Sequence, residues 1–314
     1  MYTVQALKTA IRERINGPVS YDEPMAAHTW FRVGGPADVY VVPESLDELI
    51  SLIKWLASEE VHYLVVGGGS NLLVKDKGIR GVVIDMAAGI KGISVTSEGQ
   101  AATVVRAMAG ENLNRLCRFA MEKGLAGLNF AIGIPGSVGG AIMMNAGTAD
   151  GEIQDVLIRA TVLFPDGRME TLSDNALEFE YRGLRLPGMH NPLQPPVIVD
   201  GSFQLVPASS EDLAAEADAL LKRRSERQPK GGASAGCFFK NPENGAPAGT
   251  LIEQAGMKGA ELGGAQVSET HANFILNRNN ATAEDILQLM EKVRSAVYEK
   301  FQIELQTEVR IVGD

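Results

Sequence analysis

The sequence predicts a multi-domain protein of mixed α/β and α+β class, and three observations carry that expectation. The first third alternates strand, helix and strand in the order of a βαβ unit. The middle third reads as a succession of strands. Near residue 207 the composition shifts to a charged, capped helix that opens a further α/β region. Domains are accordingly expected over 1–97, 98–207 and 208–314 of the 314 residues, since the chain is too long for one minimal core.

The elements follow in order. ADVYVVPES (37–45) reads as a strand. Ser45 and Glu48 then form a capping-box pair, and Leu46, Leu49, Ile50, Ile53 and Leu56 recur at helical spacing. HYLVVGGGSN (62–71) is a strand running into a glycine turn, NLLV (71–74) reads as strand again, and GVVIDM (81–86) is the next one. ENLNRLCRFAMEKG (111–124) is an amphipathic helix stopped by Gly124. Cys117 shares its apolar stripe with Leu113, Leu116 and Met121, the position of an inert core thiol. VLIRATVLFPDGRMETL (156–172) is a hairpin around an Asp-Gly turn, and VIVDGSFQLV (197–206) adds a strand. The helix after Ala208 ends at Pro229. A helix at TLIEQAG (250–256), a strand at ANFILN (272–277) and a helix opened by Thr282 with Asp285 follow. The closing strand IELQTEVRIV (303–312) places Ile303, Leu305, Thr307, Val309 and Ile311 on one side and Glu304, Gln306, Glu308 and Arg310 on the other.

Composition narrows the function classes. Hydrophobic and charged contents of 45% and 22% are those of an ordinary globular protein. A net charge of −10 opposes non-specific binding to nucleic acid, which depends on neutralising phosphates. No apolar run approaches the roughly 20 residues of a membrane helix, and MYTVQALKTAIRERING lacks a signal-peptide core. With only two cysteines, a cytoplasmic protein with reduced thiols is expected. Four scattered histidines show no zinc-type spacing, so no metal is expected.

Four stretches are candidates for chemistry. Gly67, Gly68, Gly69, Ser70 and Asn71 leave a strand as either a backbone anion nest or a tight inter-strand turn. They lack the third glycine of a Rossmann fingerprint. AIGIPGSVGGAIMMNAG (131–147) lacks bulk where a flat ligand could lie on the backbone, or where elements pack closely. The basic run KRRSERQPK (222–230) either complements a helix C-terminus or draws an anionic substrate toward the loop GGASAGCFFKNP (231–242), which carries Cys237. Glu308 lies on a polar strand face that is either solvated or the wall of a site.

Taken together, HTWFRVGGPAD (28–38), GGGSNLLV (67–74), GIPGSVGGAIMMNAG (133–147), FEYRG (179–183), SAGCFFKNP (234–242), GGAQVSETHANFILN (263–277) and EVRIVG (308–313) resemble the UDP-N-acetylenolpyruvoylglucosamine reductase family, in its shorter subclass. The resemblance spans nearly the whole chain. It implies a two-part FAD-binding unit of the vanillyl-alcohol-oxidase (PCMH) type followed by an α/β substrate-binding domain. It also implies non-covalent FAD, NADPH as hydride donor, a monomer without a membrane span, and reduction of UDP-N-acetylglucosamine enolpyruvate to UDP-N-acetylmuramate for peptidoglycan.

The resemblance assigns Gly67 to Asn71 to the FAD pyrophosphate. It assigns Gly133, Ile134, Pro135 and Gly136, with Asn145, Ala146 and Gly147, to the flavin. It gives catalysis to Arg182, Cys237 and Glu308, and substrate contacts to Tyr181, Arg223, Asn241 and His271. Many relatives carry serine where this chain has Cys237, and a serine shortly after the Tyr-Arg pair where it has Gly183-Leu184. Hydride added to the substrate's β-carbon leaves negative charge at the α-carbon, which the conjugated carboxylate shares. Arg182 suits that carboxylate, since its planar fork is always charged. Cys237 suits the proton donor, since a thiol is far more acidic than a hydroxyl. Competing readings are an FAD oxidase or dehydrogenase of another small substrate, a thiol hydrolase with Cys237 as nucleophile and His271 as base, and a nucleotide-binding protein without catalysis.

Overall fold

The computed structural model describes residues 4–314. Helix α1 (Val4–Arg12) and helix α2 (Leu46–Ser58) are amphipathic. They bury Leu7, Ile11, Leu49, Leu52, Ile53 and Leu56 against Val39, Val41, Val82 and Ile84 of a sheet. Ser45 opens α2 as expected, its hydroxyl accepting from the Glu48 N–H at 3.2 Å. The reciprocal arm of the capping box is redirected. The Glu48 carboxylate accepts from the main-chain N–H of Glu44 (2.8 Å), Gly17 (3.3 Å) and Asn16, tying the chain before the sheet to the start of α2.

That sheet has the order Val19–Pro24, Pro36–Val41, Ile79–Asp85, Tyr63–Val66. Its last two strands are parallel, Tyr63 opposite Val82 and Val66 opposite Asp85, as a βαβ connection requires. NLLV is a strand, Leu72–Val74, but belongs elsewhere: it pairs in parallel with Arg310–Val312.

The sheet-rich middle is one antiparallel sheet running Met169–Ser173, Leu157–Leu163, Val197–Pro207, Thr103–Met108, Ile93–Glu98. The expected hairpin closes at Asp166-Gly167, where Gly167 takes φ +84°, a conformation that favours glycine. Helix α3 (Leu113–Glu122) is capped by the Asn112 side chain and ends at Gly124, φ +65°. Cys117 is buried on its inner face, and burial pushes that thiol up to about 12, so it stays protonated and inert. The short α4 (Val138–Met143) lies within the second glycine stretch, and α5 (Ser210–Arg227) is the charged helix read from the composition.

The contacts divide the chain into two compact units, differently from the expected 1–97, 98–207 and 208–314. The first runs to Tyr21 and includes Asp38–Gly68 and Gly81–Lys222; the second comprises Asp22–Ala37, Gly69–Arg80 and Arg223–Asp314. Packing explains the difference. Ala217 and Leu220 of α5 join the first core, and the Asn129 amide donates to Leu213 O at 3.2 Å and to the Glu216 carboxylate. Most of α5 therefore stays with the residues before it.

Two early segments join the C-terminal part instead. Phe31, Val33 and Leu73 lie in a core with Phe238, Leu251, Ile286, Leu289 and Val293. Asp76 caps α7 (Ala283–Phe301), its carboxylate accepting from Ala283 N and Glu284 N, both at 2.9 Å. Thr282 and Asp285 close the expected capping box at the same end. The second unit also holds α6 (Ala248–Gln254) and a small antiparallel sheet of Glu261–Leu262, Ala265–Val267 and Ile275–Asn277. The final strand is shorter than expected. Only Arg310–Val312 is regular, although Leu305 and Val309 are buried between exposed Glu304, Gln306 and Arg310 in the alternation anticipated for 303–312. Among the described residues no helix is long and apolar enough to cross a membrane.

Candidate active site

The two glycine-rich stretches meet within the first unit. A Cβ on Gly67 would lie 2.1 Å from Ser137 Oγ, and one on Gly68 would lie 3.0 Å from Gly136 Cα. The strands flanking the 67–71 turn pair with different partners, 63–66 with 79–85 and 72–74 with 310–312. The turn therefore joins two strands that do not pair with each other, so it is an inter-strand turn but not a hairpin. Among the described residues no main-chain carbonyl accepts from the N–H of Gly67, Gly68 or Gly69, as in a nest that takes an anion.

Gly133 (φ +77°) and Gly136 (φ +122°) bracket Ile134-Pro135 in a bend that side chains would strain. Asn114 of α3 fastens this bend: its Oδ1 accepts from Gly133 N at 2.5 Å and its Nδ2 donates to Ile134 O at 2.9 Å. Nothing in the sequence singled out Asn114, because the partners it holds lie about five helical turns' worth of chain away.

The expected Arg182 and the 145–147 segment form one assembly. Tyr181 and Arg182 are the two-residue turn of a hairpin, Glu178–Glu180 with Gly183–Arg185. Arg182 adopts φ +57°, unusual for a residue with a side chain. Its guanidinium donates to Gly147 O at 2.9 Å and Asn145 O at 3.5 Å, lies 4.0 Å from the Glu152 carboxylate, and stands over the Tyr181 ring at 4.9 Å. Asn145 is buried at φ +40°, a conformation asparagine tolerates. Its Oδ1 accepts from Gln154 N (3.0 Å), and its Nδ2 donates to Glu180 O (3.3 Å). The orientation of Arg182 is thus fixed from both ends. At Gly183 an added Cβ would meet only Glu180 Cβ at 3.8 Å; Leu184, two positions past Arg182 where many relatives carry serine, is buried in the first core and offers no polar side chain there.

In the second unit, Cys237 and Glu308 flank one buried residue. Phe238 and Phe239 are fully buried with rings 5.3 Å apart, and Phe31 lies 6.1 Å from Phe238. Asn273 holds this segment: its carbonyl accepts from Phe238 N (2.7 Å), its Oδ1 accepts from Phe239 N (2.9 Å), and its Nδ2 donates to Phe239 O (2.8 Å). Glu308 N donates to Phe238 O at 2.8 Å, while Asn71 Nδ2 donates to Glu308 O at 3.0 Å. Cys237 is half-buried beside this anchored pair and bridges to Phe274. Gly236 takes φ +82° with no atom within 4 Å of a built Cβ. It is needed for the direction of the chain, not for room.

The remaining candidates do more structural work than the sequence suggested. Asn241 Oδ1 accepts from Ala248 N at 3.0 Å and so caps α6. His271 Nδ1 accepts from Asn273 N at 3.2 Å, and its ring sits edge-on to Phe274 at 5.1 Å. Burial holds its pKa below the ordinary 6.5, so the ring is neutral at pH 7, with the proton assigned to Nε2 from that hydrogen bond. Arg223 is exposed on α5, whereas the adjacent Arg224, which the sequence did not distinguish, is half-buried.

A UDP-N-acetylenolpyruvoylglucosamine reductase from Desulfosudis oleivorans is 47% identical to this chain over 311 residues, 98% of each protein. The chain belongs to the UDP-N-acetylenolpyruvoylglucosamine reductase family. The reductase of Bacillus subtilis is 40% identical over 96% of this chain and 97% of its own. The crystal structure of the reductase from Thermus caldophilus matches with a TM-score of 0.75 and 32% identity, covering 95% of this chain and all of that one. Residues 37–173 match the FAD binding domain model, and 228–312 match the model for the C-terminal domain of the reductases. The fold class read from the sequence is therefore that of this reductase family. The glycine cradle at 67–69, with its undonated N–H groups and the side-chain-free backbone of Gly136 beside it, fits the diphosphate of an FAD.

Proposed function

We propose that this chain is an FAD-dependent reductase that converts UDP-N-acetylglucosamine enolpyruvate to UDP-N-acetylmuramate with NADPH as reductant, the step that completes the muramyl sugar for peptidoglycan. The observation that carries this reading is the full-length identity of 40–47% with reductases of that name. The motif residues described above support it at the level of the site. In this reading the enzyme acts in the cytoplasm as a monomer.

FAD, when bound, would supply the two-electron redox chemistry that couples NADPH to the enolpyruvyl ether. The chain's own residues do the rest. The N–H groups of Gly67, Gly68 and Gly69 hold the cofactor's diphosphate, with Ser70 and Asn71 completing the turn. Gly133 to Gly136 and Asn145 to Gly147 face the flavin. Arg182, held by the carbonyls of Asn145 and Gly147, presents a fixed guanidinium to the substrate carboxylate. There it stabilises the charge that spreads from the α-carbon, and such preorganised charge is commonly the largest single catalytic contribution.

Cys237 then protonates the α-carbon. The S–H bond breaks as the C–H bond forms, leaving a thiolate that regains its proton from water. Glu308, in protonated form, donates a hydrogen bond to the same carboxylate. Tyr181, Arg223, Asn241 and His271 contact the nucleotide sugar. The hydrolase alternative fares worse: the lone pair of His271 Nδ1 is taken by the Asn273 N–H, the other ring nitrogen carries the proton, and the ring is packed against Phe274, so no nitrogen is left to act as base.

Mixing under anaerobic conditions tests the proposal. The purified protein should be yellow, NADPH should bleach it, and the enolpyruvyl substrate should restore the colour with one product formed per cycle. A colourless protein, or colour restored only by oxygen, contradicts it.

A further inference from the structure

We propose that Asn273 is a positioning residue for proton delivery: its side chain holds a bulge at Phe238-Phe239 and so aims the Cys237 thiol. The inference rests on the proton-donor reading of Cys237 and extends it. Neighbouring N–H groups of a regular strand point to opposite sides. Those of Phe238 and Phe239 both end on Asn273, the first on its carbonyl at 2.7 Å and the second on its Oδ1 at 2.9 Å. Two residues thus oppose one, which is a β-bulge. Asn273 Nδ2 donates back to Phe239 O at 2.8 Å, so one side chain takes the place of a strand partner. The core shows the result. Phe238 and Phe239 are buried in the same cluster with rings 5.3 Å apart, whereas successive side chains of a flat strand leave on opposite faces.

Cys237 immediately precedes the bulge and follows Gly236, φ +82°. From the Ala233–Asn277 bridge to the Cys237–Phe274 bridge the segment takes four residue steps against three. The chain is therefore irregular on both sides of the sulfur, and the bonds at 238–239 fix its course. Asn273 is itself buried, and its N–H donates to His271 Nδ1 at 3.2 Å. Helix α6 leaves room for it: a Cβ on Gly249 would lie 3.6 Å from Asn273 Cβ and 3.0 Å from His271 Cε1. Without the Asn273 side chain, the N–H and carbonyl of buried Phe239 lose their partners, a cost that relaxation of the segment relieves. Proton transfer needs hydrogen-bond reach, and misplacement by about 1 Å can cost about 100-fold.

Anaerobic stopped-flow absorbance of the FAD-loaded enzyme tests this, with the two half-reactions followed separately. Asn273→Ala should slow the return of colour with the enolpyruvyl substrate by about 10- to 100-fold, while bleaching by NADPH stays near the unaltered rate. In Asn273→Asp the introduced carboxyl has the shape of the amide. Protonated, it donates to Phe239 O and accepts from Phe239 N; ionised, it sets a negative oxygen against Phe239 O. Burial raises a carboxyl pKa, so the rate of colour return relative to the unaltered enzyme should rise about tenfold from about pH 8.5 to about pH 5.5. Cys237 and Lys240 on the bulged segment, His271 beside Asn273, Glu253 of α6 and Glu308 are common to both proteins, and the ratio removes their titrations.

A merely structural loss would slow both phases and leave the ratio flat with pH. A flat ratio overturns the inference, as does a return of colour at the unaltered rate in Asn273→Ala. If Asn273→Ala does not fold, the ratio for Asn273→Asp decides. In a Cys237→Ala background, Asn273→Ala should slow the return of colour by less than about threefold, because the group it aims is gone; the full slowing seen with the thiol present overturns the inference. A failure of the proton-donor reading shows instead in Cys237→Ala alone, as colour returning at the unaltered rate.

Discussion

Glu308 and Cys237 are two side chains whose main chain is fixed more firmly than their exposure suggests. Glu308 is tied through its N–H to Phe238 and through its carbonyl to the Asn71 amide, so its carboxyl group starts from a constrained backbone. If that carboxyl donates a hydrogen bond, Glu308→Gln should retain well over half of the transition-state stabilisation that Glu308→Ala loses. Comparing kcat/KM for the two variants checks this, and equal losses would remove donation as the explanation.

His271 makes a separate prediction about pH. Its folded-state pKa lies below the unfolded 6.5 because burial disfavours the imidazolium. Between the folded pKa and 6.5 the unfolded chain binds more protons, so stability is fully present above 6.5 and is lost as pH falls toward the folded pKa. His271→Gln should therefore flatten the decline in melting temperature as pH falls below 6.5. An unchanged slope would place the titration elsewhere. At this scale the sequence was informative where a residue sits in a motif, as Arg182 does. It was silent on Asn114 and Asn273, whose importance lies in partners brought to them by the fold.

At the scale of elements, local signals were readable and long-range partners were not. Thr282 and Asp285 announced the start of α7 because a capping box needs only residues three apart. The second cap on the same helix, Asp76, comes from more than 200 residues earlier, and no pattern in the neighbourhood of either segment points to the other. Asp76→Ala should cost about 1 kcal/mol, visible as a lower denaturant midpoint with an unchanged slope. A variant as stable as the parent would show that Thr282 and Asp285 suffice. The closing strand shows the opposite limit. Its alternation was read correctly from side chains, but regular pairing is confined to Arg310–Val312. Before that, the neighbouring segment bonds to it only at scattered points, as where Lys240 N meets Gln306 O and Phe239 bridges Thr307.

At the scale of the whole molecule, the chain builds two separate cores from segments that interleave in sequence. The boundary expected near residue 207 followed a change in composition, which marks where a charged helix begins, not which core its apolar face joins. Leu213, Ala217 and Leu220 turn most of α5 toward the first unit. The residues at 22–37 and 69–80 go to the second because Phe31, Val33 and Leu73 complete its core.

The match to the FAD binding domain lies at 37–173, while Cys237 lies in the region matched to the reductase C-terminal domain. Flavin reduction by NADPH and reduction of the enolpyruvyl ether should accordingly respond differently to a change at the sulfur. The most direct measurement is anaerobic stopped-flow absorbance of Cys237→Ala, with each half-reaction followed in isolation. Bleaching by NADPH should proceed at a rate close to that of the unaltered enzyme, and the return of colour with substrate should slow by about 100- to 10,000-fold, the contribution expected of a general acid. Equal slowing of both phases, or a return of colour at the unaltered rate, would contradict the assignment of Cys237 as the proton donor.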